Sequence, residues 1–302
     1  MGLSLYRPWS WWRIQLQDLL ELFLLPGLAA VLTWRLCFAL YRQLAKCTWL
    51  YRGATDAAWP WTKQSMPGLV QQQWACERRL LTLVDHADCV LSCTRSAYWA
   101  RKHVQVSGHW PAPDTPQVIC TFHWGAGLWT LQAMRQAGLS VHALAASLQG
   151  AQFAGRPVLH RYARWRTAQV VKALGHPTID VSASMRPVLQ ALKQNNCVLG
   201  VVDVPADNVE ASVSVTLLGR SVQVPRGLLR LAAERQLPVT LFTAGLDFKT
   251  GHRTWVIHSL GVMPNALALF DAVFGVLNQA IEASPSAWHL WAEMPRFLQN
   301  KD

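Results

Sequence analysis

The sequence predicts an α/β fold, a mixed central sheet covered by helices, preceded by a membrane-associated helical segment. Three observations predict it. Five short apolar runs with strand character occur at 118–122, 141–146, 198–202, 239–243 and 254–258. Five runs of helical spacing, at 126–137, 157–174, 184–194, 226–236 and 266–283, are interleaved with them. Apolar strands among amphipathic helices build a sheet buried on both faces. The start of the chain differs, being rich in Trp and carrying an uncharged run at 22–34.

That start can be read in order. Of 16 tryptophans, ten precede residue 111, and Trp favours the membrane–water interface. The chain is 51% hydrophobic and only 15% charged, against a usual charged share of about 25%. This excludes disorder and fits a membrane-associated protein. Arg7, Pro8, Trp9, Trp11, Trp12 and Arg13 precede Asp18 and Glu21 with no small-residue cleavage pattern, so the start is not a secretory signal. The 13 uncharged residues of 22–34 fall short of the roughly 18–20 that span hydrocarbon. Residues 14–45 therefore read as a helix, broken near Pro26-Gly27, lying in or dipping into the interface; a true span and a core helix pair are the alternatives. Arg35, Arg42, Lys46 and Arg52 follow, which puts the rest on the cytoplasmic side.

Three regions result: a membrane-associated helical region at 1–52, a connector and helix at 53–106, and the α/β domain at 107–302. Gly, Pro and Trp in 53–70 suggest little regular structure. Residues 71–106 have helical spacing, with Leu80, Leu81, Val84, Cys89 and Val90 on one side. Gly108, Pro111, Pro113 and Pro116 mark the loop before the main domain.

Charge narrows the partner class. Lys and Arg number 28 against 17 Asp and Glu, a balance of +11, favouring anionic lipid, a phosphorylated substrate or carrier, or nucleic acid. The apolar, Trp-heavy start speaks against nucleic acid. Seven cysteines without a C-x-x-C pair indicate a reducing compartment, with no disulfide framework or zinc ribbon. G-x-S-x-G, P-loop and G-x-G-x-x-G motifs are absent. Asp85, His86, Asp88, Cys89 and Cys93 have the residue types of a metal site, but a helix sends them to different sides. Cys120 lies inside a strand and reads as core. No metal or redox cofactor is expected.

His123 is the candidate base. It ends the apolar strand 118–122 and precedes Trp124-Gly125-Ala126-Gly127, where a helix begins. Strand ends of α/β sheets are where ligands bind, and a neutral imidazole can take a proton from an attacking hydroxyl. From residue 115 to 179 there is no Asp or Glu, while Arg135, Arg156, Arg161, Arg164, Arg166 and Lys172 all lie there. Arg164 or Arg166 is thus a candidate for a phosphate or carboxylate. Gly219-Arg220 reads as a turn, with Pro225 at a helix start and Gly227 just inside it. Asp203 follows the strand 198–202 and could orient His123.

These residues together carry a resemblance. His123 after its strand, the basic helix near 156–172, ALKQNNCVLGVVDVP (191–205), LLGRSVQVPRGLLRLAAERQLPVTLF (217–242) and WHLWAEMPRF (288–297) resemble the lipid A late acyltransferase branch of the lysophospholipid acyltransferase superfamily. The resemblance covers about 75–298 and is most specific at 217–242. It implies a glycerolipid acyltransferase-like fold. It also implies transfer of an acyl group from acyl carrier protein or acyl-CoA to a hydroxyl of a lipid or glycolipid acceptor, at the cytoplasmic face of a bacterial inner membrane. His123 would be general base. Trp124, Gly125, Arg164, Arg166, Gly219, Arg220 and Arg296 would bind substrate. One departure stands out: the family pattern places Asp or Glu five residues after the His, where this chain has Leu128. Asp203 or Glu293 is expected to replace that acid, Glu293 being slightly favoured. The alternatives are a catalytically silent lipid- or carrier-binding protein, and an enzyme with an unusual acyl group or acceptor, such as an aryl-polyene or amino-acyl lipid.

Overall fold

The computed structural model describes residues 9–145, 150, 153–181, 184–206 and 211–298; Arg7, Pro8 and Ala146, used above, lie outside them. Helix α1 (Trp9–Leu19), a π-helical turn (Leu20–Leu24) and α2 (Leu25–Val31) form one continuous rod. Helix α3 (Trp34–Leu44) follows a break at Leu32-Thr33, where the backbone becomes extended. The break is therefore not at Pro26-Gly27. Pro26 sits in the first turn of α2, directly after the π turn, where a missing N–H is tolerated. Three polar side chains of the rod, Gln15, Asp18 and Glu21, face the protein and are buried. Asp18 pairs with Arg156 (Oδ2 to Nε 3.1 Å), Gln15 donates to the Gly155 carbonyl, and Glu21 accepts the Tyr51 N–H at 2.7 Å. The other side is open and rich in apolar residues: Trp9 is 78% exposed, and Trp12, Leu16 and Leu24 are exposed with it, as are Arg13 and Gln17.

Helix α4 (Arg52–Ser65) occupies the stretch expected to be irregular. Tertiary packing overrides its weak propensity: Thr55, Ala58 and Thr62 are buried, and Trp59 lies 5.3 Å from Trp74 between ring centroids. That packing carries Pro60 inside the helix despite its lost hydrogen bond. Helix α5 (Gln71–Thr94) is the long helix expected here, and it buries Leu80, Leu81, Leu83, Val84 and Leu91. Helix α6 (Ala97–Lys102) is capped by Ser96, whose hydroxyl accepts the Trp99 N–H. Strand β1 (Val104–Ser107) ends the region, where helix was expected; four half-exposed residues are too few to show a period.

The α/β part runs β2 (Val118–Thr121), α7 (Leu128–Gln136), β3 (Val141–Ala145), α8 (Pro157–Leu174), β4 (Ile179–Asp180), α9 (Arg186–Lys193) and β5 (Cys197–Val201). It continues with β6 (Ser212–Leu217), β7 (Arg220–Pro225), α10 (Gly227–Glu234), β8 (Pro238–Leu246), β9 (Arg253–Val262) and α11 (Ala266–Ala283), then short helical turns to α12 (Met294–Phe297). All five expected strands and all five expected helices are present. The sheet has seven strands in the order β1-β9-β8-β2-β5-β3-β4. Only the β8–β9 pair is antiparallel, so β1 and β9 run against the other five. The fold is thus α/β with a mixed, mainly parallel sheet.

The hairpin β6–β7 was not foreseen as a pair of strands. Its turn is Leu218-Gly219, both with positive φ (51° and 74°), the two-residue turn that matches strand twist. Pro225 ends β7 instead of opening a helix, and Arg226 is the N-cap of α10. Helix α11 packs Leu269, Phe270, Val273, Phe274, Leu277 and Ile281 into the core. The rod Trp9–Val31 and α11 are both long and apolar enough to cross a membrane, by length and composition only. All seven cysteines are free thiols, four of them buried.

Candidate active site

His123 and Asp203 meet because the strand register brings them together. Strands β2 and β5 pair Val118 with Val198 and Thr121 with Val201, and the Val202 N–H goes on to bond the Thr121 carbonyl at 3.0 Å. Two residues beyond the strand ends, His123 stands opposite Asp203. The carboxylate is fully buried. It accepts the His123 backbone N–H at 2.9 and 3.0 Å, the His123 Nδ1–H at 3.0 Å and the Trp288 indole N–H at 2.8 Å. Three donors compensate the loss of water. An ionised carboxylate can only accept, so Nδ1 carries the proton and Nε2 of the neutral ring is free to act as a base. The His123 side chain is 40% exposed. Burial alone would lower its pKa, but the charge and hydrogen bond of Asp203 outweigh this and hold it above the ordinary value.

The loop after His123 is joined to the last segment of the chain. Trp124 pairs with Trp288 in an antiparallel bridge. The Gly125 N–H donates to the Ala287 carbonyl (2.9 Å), and the His289 N–H donates to the His123 carbonyl (2.8 Å). His289 Nε2 donates to the Gly125 carbonyl at 2.8 Å. Gly125 has φ +60°, and a Cβ there would meet the Ala244 oxygen at 1.8 Å, so only glycine fits. From α5, Arg78 reaches the carbonyls of Trp288 (2.6 Å) and His289 (2.9 Å). Burial lowers Arg78 to about 10 and His289 to about 4. At neutral pH the first stays charged and the second neutral.

A second buried polar cluster lies between α5 and α8. Arg166 pairs with Asp85 at 2.9 Å and donates to the Tyr162 hydroxyl at 3.3 Å. His86 Nδ1 shares a hydrogen bond with the same hydroxyl, and burial pushes His86 down to about 3. Asp88 pairs with Arg253, both fully buried. Asp85, His86 and Asp88 are thus engaged by Arg166, Tyr162 and Arg253, and among the described residues no group of three or more His, Cys, Asp and Glu could hold a metal.

The expected site residues divide accordingly. Trp124, Gly125 and Asp203 surround His123. Glu293 ion-pairs with Arg296 at 2.7 Å and reaches the imidazole only through its charge. Arg166 is neutralised by Asp85, while Arg164 is exposed on the outer side of α8. Gly219 and Arg220 form the hairpin tip, held by Asn278 of α11, which accepts the Leu218 N–H at 2.8 Å and donates to the Thr216 carbonyl at 3.0 Å. Among the described residues no hydrogen bond or ion pair joins that tip to His123. Leu128, where the motif acid would stand, is buried beside Ile119, Leu131 and Met134. Sequence reasoning missed Trp288, His289 and Arg78. The W-H-L-W run of 288–291 was the available signal for the first two, since it lies in a segment already singled out. No protein-family model matches the chain, and no curated protein sequence matches it.

Proposed function

We propose that the protein is a membrane-associated acyltransferase, resembling the lipid A late acyltransferases, with His123 and Asp203 as a catalytic dyad. The observation that carries this reading is the buried carboxylate on Nδ1 of a partly exposed imidazole at the carboxyl end of the sheet. The acceptor hydroxyl gives its proton to Nε2 as its oxygen attacks the carbonyl carbon of an acyl thioester. Asp203 stabilises the imidazolium that forms. The tetrahedral intermediate then collapses, the carbon–sulfur bond breaks, and the thiolate takes the proton from Nε2. General-base assistance of this kind contributes on the order of 10²–10⁴ in rate. The donor would be acyl carrier protein or acyl-CoA, and the acceptor a lipid or glycolipid at the cytoplasmic face of a bacterial inner membrane. The apolar side of α1 and α2 would lie in the interface, because Asp18 and Glu21 on the opposite side are held by the protein.

The silent binding-protein reading drew its force from the lack of an acid beside His123, and Asp203 weakens that case. The test is lipid mass spectrometry of cells carrying wild type, His123→Ala or no gene. The expected result is one acylated lipid made only by wild type. Equal product from His123→Ala would remove the proposal.

A further inference from the structure

A cavity of about 450 Å³ lies between α3 and the β8–β9 turn. That volume suits a small-molecule site. Arg35 and Arg42 of α3, with Lys249 and His252 of the turn, stand on its walls, over a floor of Trp34 and Phe38. No Asp or Glu lines it.

The cavity has fixed walls. Trp34 donates its indole N–H to the Gly251 carbonyl at 3.2 Å. The buried Arg253 guanidinium stacks 4.1 Å from the Trp34 ring. Gly251, with φ +75°, lies so close to Phe38 that a Cβ would come within 2.7 Å of its ring. The nearby Asp247 carboxylate is occupied, accepting the Lys249 and Thr250 backbone N–H groups at 2.7 and 3.2 Å. It shapes the turn and its charge also reaches His252, while among the described residues no ion pair holds Arg35, Arg42 or Lys249.

The position on the helix identifies the ligand class. Arg35 and Arg42 are seven apart and share one stripe of α3. On one flank of that stripe lie buried Trp34, Phe38 and Tyr41. Beyond the other flank lie Leu36 and Leu40, 61% and 38% exposed. Leu36 and Leu40 thus leave an apolar flank of α3 open, as Trp9, Trp12, Leu16 and Leu24 are open on the rod. A helix so arranged sets its cations at headgroup depth when its apolar flank enters a bilayer. We propose that this cavity binds the phosphate of an anionic membrane lipid headgroup, gripped by Arg35, Arg42 and Lys249. Strands β9 and β1 begin at the edge where β2, β5 and β8 end, so a headgroup held there fixes the edge bearing His123 against the membrane. The proposal rests on the membrane-facing reading of α1–α3 and is independent of chemistry at His123.

The experiment is flotation of the full-length protein with phosphatidylcholine vesicles, with and without phosphatidic acid. It compares wild type, the triple variant Arg35→Gln/Arg42→Gln/Lys249→Gln, and a charge-matched control, Lys172→Gln/Lys193→Gln/Arg235→Gln, at exposed positions. With each cation contributing about 1 kcal/mol at an anionic surface, the cavity variant should lose about 100-fold in affinity for phosphatidic acid vesicles and keep its affinity for phosphatidylcholine. The control should lose less than about threefold. Equal losses in both triple variants would overturn the cavity as the site. So would saturation of the cavity by glycerol phosphate, lost in the cavity variant, that leaves binding of wild type to phosphatidic acid vesicles unchanged, which would assign the cavity to a soluble phosphate. Failure of wild type to bind any vesicle would sink the membrane reading and this proposal with it. Retained vesicle binding without anionic preference would sink the proposal alone.

Discussion

Replacing Asp203 by Asn tests the site at its centre. The carboxylate offers two oxygens to three N–H groups, with His123 Nδ1 on Oδ1 and the Trp288 indole on Oδ2. An amide keeps one oxygen and puts an NH₂ in place of the other. If the NH₂ faces Trp288, a buried indole N–H loses its acceptor, which costs about 1–3 kcal/mol. If it faces His123, the ring must move its proton to Nε2 so that Nδ1 can accept, and the base loses its lone pair toward the acceptor. Breaking a buried pair costs about 3–5 kcal/mol. Because His123 is 40% exposed, water recovers part of this, and a loss of about 2–4 kcal/mol is expected. Product formation should fall by about 10³–10⁴, as in triads that lose their orienting acid. Without the counter-charge, burial and the Arg166 charge outweigh the weaker pull of Glu293, and the pKa of His123 should drop below the ordinary imidazole value.

The comparison variant is Trp288→Phe, which removes one donor and keeps the charge. A carboxylate with one hydrogen bond fewer is more basic and holds the imidazolium more tightly, so the pKa of His123 should rise. NMR titration of labelled histidine reads both shifts, thermal unfolding reads the stability, and lipid mass spectrometry reads the product. An unchanged or raised His123 pKa in Asp203→Asn, or full product from that folded variant, would refute the dyad.

Further outcomes follow from the same geometry. Activity should rise with pH through the elevated pKa of His123, since only the neutral ring accepts a proton, and a rate–pH profile falling there would contradict the base assignment. Stability should fall as pH drops from about 6.5 toward 4, because unfolded His86 and His289 bind protons that the native sites refuse down to about 3 and about 4; His289 alone accounts for about 3 kcal/mol by linkage. His123 works in the opposite sense, its contribution present below its unfolded pKa and lost as pH rises through the folded one. Urea unfolding at stepped pH checks the sum. Glu293→Gln should keep activity within about threefold, its partner being Arg296. Exchanging Trp9, Trp12 and Leu16 for Ser should weaken flotation on phosphatidylcholine vesicles at least about tenfold without unfolding the protein, since all three are exposed.

Five strands and five helices of 118–283 were legible because each shows a period or an unbroken apolar run, while the two-residue β4 and the half-polar hairpin β6–β7 show neither. Where the reading failed, the deciding force was not local. Helix α4 exists because Thr55, Ala58 and Thr62 are buried and Trp59 meets Trp74, and Gly and Pro in 53–70 could not announce those contacts. Pro26 was read as a break, whereas a π turn before it let the rod run on to Val31. His123 was legible as a strand-end residue and Asp203 as one of two candidate acids, but the slight preference for Glu293 was misplaced. The choice between Asp203 and Glu293 depended on an offset of 80 between β2 and β5, visible only in their register.

That offset also explains why the family pattern cannot be restored locally. Leu128→Glu places a carboxylate in the apolar cluster of Ile119, Leu131 and Met134. The imidazole Nδ1 is already held by Asp203, so the new acid would compete for a proton that is committed, across a helix end whose side chain points into the core. An unpaired buried carboxylate is destabilising by several kcal/mol unless it takes up a proton. Leu128→Glu should therefore unfold at markedly lower denaturant than wild type and gain no activity, alone or with Asp203→Asn. Recovery of product in the double variant, with wild-type stability, would mean that position 128 can reach His123 after all. The acid would then be interchangeable between the helix and the strand end, and the carboxylate supplied by β5 would be a choice of this chain rather than a requirement of its fold.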